Sequence, residues 1–153
     1  MSETSIEPVL ERQLSDVLGY QKILTLSVET TISETVRQML EKKVGAAVIV
    51  NGDELKGIFT ERDLMSRVVG AGLNPETTGL AQVMTSDVLS VSQTSDVLTA
   101  IILMRDHGTR HLLVEDNDQI IGILSVRDLL RLFMEEAMIG KLDTGKLWTG
   151  VPF

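Results

Sequence analysis

Shifting the chain against itself by 65 positions superposes residues 22–65 on 87–130 without a gap. A self-match at a fixed period means that one supersecondary unit is used twice, and this is the strongest constraint on what the chain can fold into. Identities fall at Leu24/Leu89, Ser27/Ser92, Met39/Met104, Asp53/Asp118, Gly57/Gly122, Ile58/Ile123, Arg62/Arg127, Asp63/Asp128 and Leu64/Leu129. Thr25/Ser90, Ile49/Val114, Leu55/Ile120 and Thr60/Ser125 are conservative pairs between them. With 153 residues the chain holds two small repeats and enough apolar side chain to bury a core, which excludes a large multidomain enzyme.

Each repeat reads as strand, helix, strand, strand, helix, an α/β (α+β) pattern. In the first, residues 23–26 form a short apolar strand, and Thr31 followed by Glu34 predicts a capping box. Ile32, Val36, Met39 and Leu40 then recur at helical spacing. Two apolar runs, 46–50 and 55–59, flank the turn-rich Asn51-Gly52-Asp53-Glu54, which predicts a hairpin, and Thr60 opens a second helix. The second repeat follows the same plan, with Val97, Ile101 and Met104 on its helical face and Asp116-Asn117-Asp118 at its turn. The expected organisation is a helical extension over 1–13, repeats over 14–70 and 80–137, a linker over 71–79 and a tail over 138–153. Leu10, Leu14, Val17 and Leu18 predict a helix starting near Pro8, and Trp148 reads as an apolar anchor in a glycine-broken tail.

Aromatic residues are only 3% of the chain, so Val, Ile, Leu and Met must fill the core. The net charge of -8 argues against a general nucleic-acid binder, since phosphate backbones are held through clustered Lys and Arg. The absence of cysteine excludes disulfides, thiolate zinc sites and cysteine nucleophiles. His107 and His111, the only histidines, share no ligand-spaced cluster with carboxylates, so no metal site is expected. No run approaches the ~20 apolar residues needed to span a bilayer. The acidic start, with Glu3 and Glu7, lacks the basic opening of a secretory signal; a cytoplasmic protein is expected.

The chemistry concentrates in Gly57-Ile58-Phe59-Thr60-Glu61-Arg62-Asp63 and its copy Gly122-Ile123-Leu124-Ser125-Val126-Arg127-Asp128, each where a strand meets a helix. Two readings stand side by side. In one, the hydroxyl caps the helix and the acid three residues on completes a capping box. That leaves Gly57 and Gly122 unaccounted for. In the other, each glycine lets a second backbone or a ligand come close, and the helix N-terminus offers free N–H groups to a phosphorylated ligand. The Asp carboxylate would then accept from vicinal hydroxyls such as those of ribose, each charge-assisted bond being worth about 1.5–3 kcal/mol.

The duplicated unit, the Gly-hydrophobic-hydrophobic-Thr/Ser-x-x-Asp motif in both copies and the Arg110-His111-Leu112 run together resemble the cystathionine-β-synthase (CBS) domain pair, or Bateman module. The resemblance covers about 14–137. It implies two repeats about a pseudo-twofold axis, with two clefts between them for adenosine-containing ligands such as AMP, ADP, ATP or S-adenosylmethionine. By the same resemblance Asp63 and Asp128 are the ribose-binding acids, and Thr60 and Ser125 bond ribose or phosphate. Thr25 and Ser90 help to hold adenine or phosphate, and Arg110 with His111 faces phosphate. The first repeat departs from this pattern, because Gly45 and Ala46 stand where Arg110 and His111 would and bring no charge. The cleft using Asp128, Ser125, Thr25, Arg110 and His111 is therefore expected to be the stronger. Arg62, Arg127, Lys42 and Lys43 read as solvated surface charges.

No nucleophile or base with an orienting partner is recognisable, and two acids at equivalent repeat positions suit duplicate binding roles better than distinct acid and base roles. The expectation is a regulatory protein, not an enzyme, that signals to a separate effector protein. An adaptor with a vestigial pocket and a small nucleotide hydrolase are the alternatives. Leu129, Leu130, Leu132, Phe133, Met134, Ala137 and Met138 give the last helix more apolar positions than one buried stripe needs, so part of that surface is expected to meet another subunit; the resemblance to CBS pairs implies a homodimer through the helices after each motif.

Overall fold

The computed structural model describes residues 7–19 and 21–139. Along the chain run α1 (Glu7–Leu10), α2 (Leu14–Val17), β1 (Thr25–Ser27), α3 (Ile32–Lys42), β2 (Ala46–Asn51), β3 (Glu54–Thr60) and α4 (Glu61–Asp63), which continues as a π-helical segment, Leu64–Val69. A 3₁₀ turn (Leu80–Gln82), β4 (Ser90–Ser92), α5 (Val97–His107), β5 (His111–Asp116), β6 (Gln119–Ser125) and α6 (Val126–Ile139) follow. This is the mixed α+β pattern that the duplicated sequence predicts, with one three-stranded sheet per repeat.

The described residues fall into two compact units, one within 20–90 and the other within 1–19 and 91–153. In the 20–90 unit the strand order is β1-β2-β3. β1 lies parallel to β2, so the chain must cross over between them, and α3 makes the crossing; β2 and β3 are an antiparallel hairpin. Gly52 turns the hairpin at φ 61°, a left-handed conformation glycine adopts without steric cost. Leu24, Leu26, Ile32, Met39, Ala47, Ile49, Phe59, Val68, Leu80 and Val83 form its core. Phe59 is completely buried, an exception to the aliphatic core expected from composition.

The 91–139 unit follows the same plan in the order β4-β5-β6. Its antiparallel pair β5/β6 breaks register between Val114 and Glu115, as β2/β3 does between Ile49 and Val50. The turn here is carried by Asn117 and Asp118 at φ 48° and 63°, the left-handed pair that a two-residue hairpin of type I′ requires.

Each unit takes in a segment that precedes the other repeat in sequence. In the 20–90 unit, Leu80 N–H donates to Thr30 O (3.0 Å), Ala81 N–H to Val28 O (3.1 Å) and Ile32 N–H to Thr78 O (3.0 Å). In the other unit, Leu14 N–H donates to Ser95 O (2.9 Å), Ser15 N–H to Gln93 O (2.9 Å) and Val97 N–H to Arg12 O (3.0 Å). The compact units and the sequence repeats thus divide the chain at different places. A backbone that must satisfy its own polar groups finds them on a segment distant in sequence.

Some local expectations are corrected. The helix predicted from Pro8 is two short ones, because Gln13 is extended and bridges to Asp96. Thr31 accepts from Glu34 N–H, but the Glu34 carboxylate turns to Arg37 and Gln38, so the box is half formed. Leu40 is 73% exposed, and Thr35 takes a core position instead, its hydroxyl satisfied by Thr31 O at 2.8 Å. Trp148 lies outside the described residues.

Candidate functional site

Both motif copies fold as the first of the two readings requires. Thr60 ends β3 in an extended conformation, and its hydroxyl accepts from Asp63 N–H at 3.3 Å while the Asp63 carboxylate accepts from Thr60 N–H at 2.9 Å. Thr60 Oγ1 also donates to Asp63 Oδ2, at 3.0 Å. In the second copy Ser125 N–H and Ser125 Oγ donate to Asp128 Oδ2 at 2.8 and 2.7 Å, and Asp128 N–H donates to Ser125 Oγ at 3.2 Å. These reciprocal bonds satisfy the orphan donors at the start of each helix.

Beyond the box the copies diverge. Asp63 is buried, with 6% of its surface exposed. Its second oxygen, Oδ1, accepts from the Thr85 hydroxyl at 3.0 Å and lies 3.6 Å from Arg67 Nε. Arg67 also donates from Nη1 to Met84 O at 2.7 Å. Thr85 is held in turn by two backbone bonds with Ile58, of 2.8 and 2.9 Å. A Cβ on Gly57 would collide with the Thr85 carbonyl oxygen and come within 3.2 Å of Ser86 Cα. At Gly57, then, the close neighbour is another stretch of backbone. Asp128 is only half-buried, and its Oδ1 has no partner among the described residues. The position equivalent to Arg67, 65 residues on, is Leu132.

The two helix starts differ in the charged side chains beside them. His111 is opposite Ser125 in the β5/β6 register, and Arg110, exposed, accepts from Val126 N–H at 3.0 Å through its carbonyl oxygen. In the 20–90 unit Ala46 is opposite Thr60, and Glu61 N–H donates to Gly45 O at 3.2 Å. The Glu61 carboxylate folds over Gly45, with Oε2 3.3 Å from where a Cβ would stand. One junction therefore has two basic side chains beside its helix start, and the other has a carboxylate there.

Thr25 and Ser90, exposed, are the first residues of β1 and β4. Arg62, Arg127, Lys42 and Lys43 are exposed. The sequence reading missed Thr85, Arg67 and Glu61. Arg67, four residues after Asp63, could have been found as a helical ion pair. Thr85, 22 residues away, gave no local signal. Among the described residues no cluster of three His, Asp or Glu could hold a metal ion, and no helix is long and apolar enough to cross a membrane.

The CBS domain model matches residues 14–70 and 80–135. The chain is 39% identical over 112 residues to an uncharacterized protein of Methanopyrus kandleri, a match that covers 72% of this chain and 57% of that relative's length. It is similar to the solved structure of a putative signal-transduction protein with CBS domains from Burkholderia ambifaria, with a TM-score of 0.74 and 26% identity, covering 91% of this chain and all (100%) of that one. A CBS domain protein from Pyrobaculum aerophilum, solved in complex with AMP, superposes with a TM-score of 0.70 at 27% identity and covers 83% of this chain and 99% of its own. Two matched domains, the duplicated strand-helix junction and these relatives establish that the chain belongs to the CBS-domain family.

Proposed function

We propose that the chain is a regulatory protein that binds an adenosine-containing ligand at the Asp128 motif and passes its occupancy to an effector protein. The observation that carries this reading is the Asp128 carboxylate: half-buried, fixed through Oδ2 by Ser125, with no described residue on Oδ1, the oxygen that would accept from a ribose hydroxyl. Arg110 and His111 beside the start of α6 suit a phosphate group, Arg110 through its forked donors. AMP heads the candidates, ahead of ADP, ATP and S-adenosylmethionine, because a similar CBS protein was solved with it. The protein acts in the cytoplasm, and its role is regulation, not catalysis.

With a net charge of -8, long-range electrostatics oppose a nucleotide anion, so local cations must supply the attraction. A ligand shifts a conformational equilibrium only by its differential affinity for the two states, so signalling requires a second state that binds AMP less well. The receiving surface includes the exposed apolar side chains of α6, Val126, Leu130, Met138 and Ile139, which also suit a homodimer contact.

Calorimetric titration of the purified, nucleotide-stripped protein with AMP, ADP, ATP and S-adenosylmethionine tests the reading. AMP binding is expected, weakened about 10- to 100-fold in Arg110→Ala, the equivalent of one or two charge-assisted hydrogen bonds. Absence of heat with every ligand, in protein shown by circular dichroism to be folded, overturns it.

A further inference from the structure

The two motif copies invite the expectation of two ligands per chain. We infer instead that each chain binds a single nucleotide, at the Asp128 motif, and that Thr85 and Arg67 hold the Asp63 motif permanently closed. The inference rests on the reading of the Asp128 motif as a nucleotide site and specifies its stoichiometry.

A carboxylate has about four lone-pair positions for hydrogen-bond donors. In Asp63 three are taken by Thr60 N–H, the Thr60 hydroxyl and the Thr85 hydroxyl, and the Arg67 guanidinium stands over the remaining approach as an ion pair, 3.6 Å from Oδ1. A ribose hydroxyl can reach this group only by displacing one of them, exchanging one bond for another without gain. Displacing Thr85 is the harder because its backbone is bonded at both N–H and C=O to Ile58, against a glycine that admits no side chain. Arg67 is likewise tethered to Met84 O. Phosphate faces a second obstacle, the Glu61 carboxylate over Gly45, where the other copy has Arg110. Asp128 meets neither condition, since Leu132 stands at the position equivalent to Arg67 and no described residue engages its Oδ1. The response of a chain to AMP is therefore a single-site isotherm with no cooperativity between its own motifs.

The test combines titration with AMP and amide chemical-shift mapping on the full chain. One AMP per chain is expected, with shifts over 125–129 and none over 60–64, and with the binding event lost in Asp128→Asn. Two binding events, or shifts at both motifs, overturn the inference while leaving AMP binding intact. A single event that survives in folded Asp128→Asn, with shifts over 60–64, overturns it as well. Absence of any AMP binding overturns the reading of the site and this inference with it. Shift mapping on the unmodified chain keeps the test decisive even if the variant does not fold.

Discussion

Thr60-Glu61-Arg62-Asp63 and Ser125-Val126-Arg127-Asp128 are copies of one junction, built on the same strand ending and closed by the same reciprocal cap, yet their carboxylates end in different surroundings. Asp63 is a buried hub that ties a helix start to Thr85, a bridge residue 22 positions further on. Among the described residues Asp128 bonds only within its cap, through Oδ2. The motif therefore encodes a helix cap in both copies, and neighbours outside it decide what else the acid touches. Duplication supplied two equivalent positions, and a few substitutions, Gly45 against Arg110, Glu61 against Val126 and Arg67 against Leu132, made them unequal.

The contrast can be broken most severely at Gly57. Gly57→Ala drives a methyl group into the Thr85 carbonyl, and the backbone bridge to Ile58 must open, releasing the Thr85 hydroxyl from Asp63. A loss of about 3 kcal/mol in urea denaturation is expected, the upper end for overpacking a tight contact. A loss below about 0.5 kcal/mol, typical of an unconstrained surface position, would contradict the close approach.

A second difference lies at the helix C-termini. α3 ends on Lys43 at φ 55° and α5 on Gly108 at φ 62°, equivalent positions in the repeat. A left-handed lysine carries a strain that glycine does not, so Lys43→Gly is expected to stabilise the protein by about 1 kcal/mol. Gly108→Lys should cost a similar amount. If both substitutions shift stability in the same direction, the equivalence of the two caps fails.

The smallest effect concerns pH. α3 is capped by the Thr31 hydroxyl, which does not titrate, whereas α5 is capped by Asp96, which accepts from Thr99 N–H at 2.7 Å. Hydrogen bonds from the Thr99 side chain, then from its backbone N–H, hold the Asp96 carboxyl below its ordinary range. A depressed native pKa means that the contribution is fully present above the unfolded value of about 4 and is lost as pH falls through the native one. Hydrogen exchange at the Thr99 amide should accelerate, relative to the Glu34 amide under Thr31, as pH drops below about 4, and Asp96→Asn should remove the difference. Equal pH dependence at the two amides would refute it.

Much of this was legible in the residues. The 65-residue self-match announced the duplicated unit, and hydroxyl-x-x-Asp at each strand end announced the caps. Leu40 failed because helical spacing marks a stripe without saying how wide the opposing core is; Thr35 could replace it once its hydroxyl found Thr31 O. Gly57 offers room for either a ligand or a backbone, and only the fold chooses the backbone. The tie from Asp63 to Thr85 left no trace in any window of sequence, because it depends on a segment that enters the unit from beyond the repeat.

By itself the sequence determined the repeat, the order of elements, the two capped junctions and the placement of Arg110 and His111 on only one of them. All of these follow from short-range spacing and residue type, which the chain carries before it folds. Tertiary structure decided which segment completes each unit, what occupies the space at Gly57 and which of two identical acids is tied to a hydroxyl distant in sequence. Those outcomes depend on backbone groups far apart in sequence finding each other's hydrogen bonds, and no local pattern records that pairing.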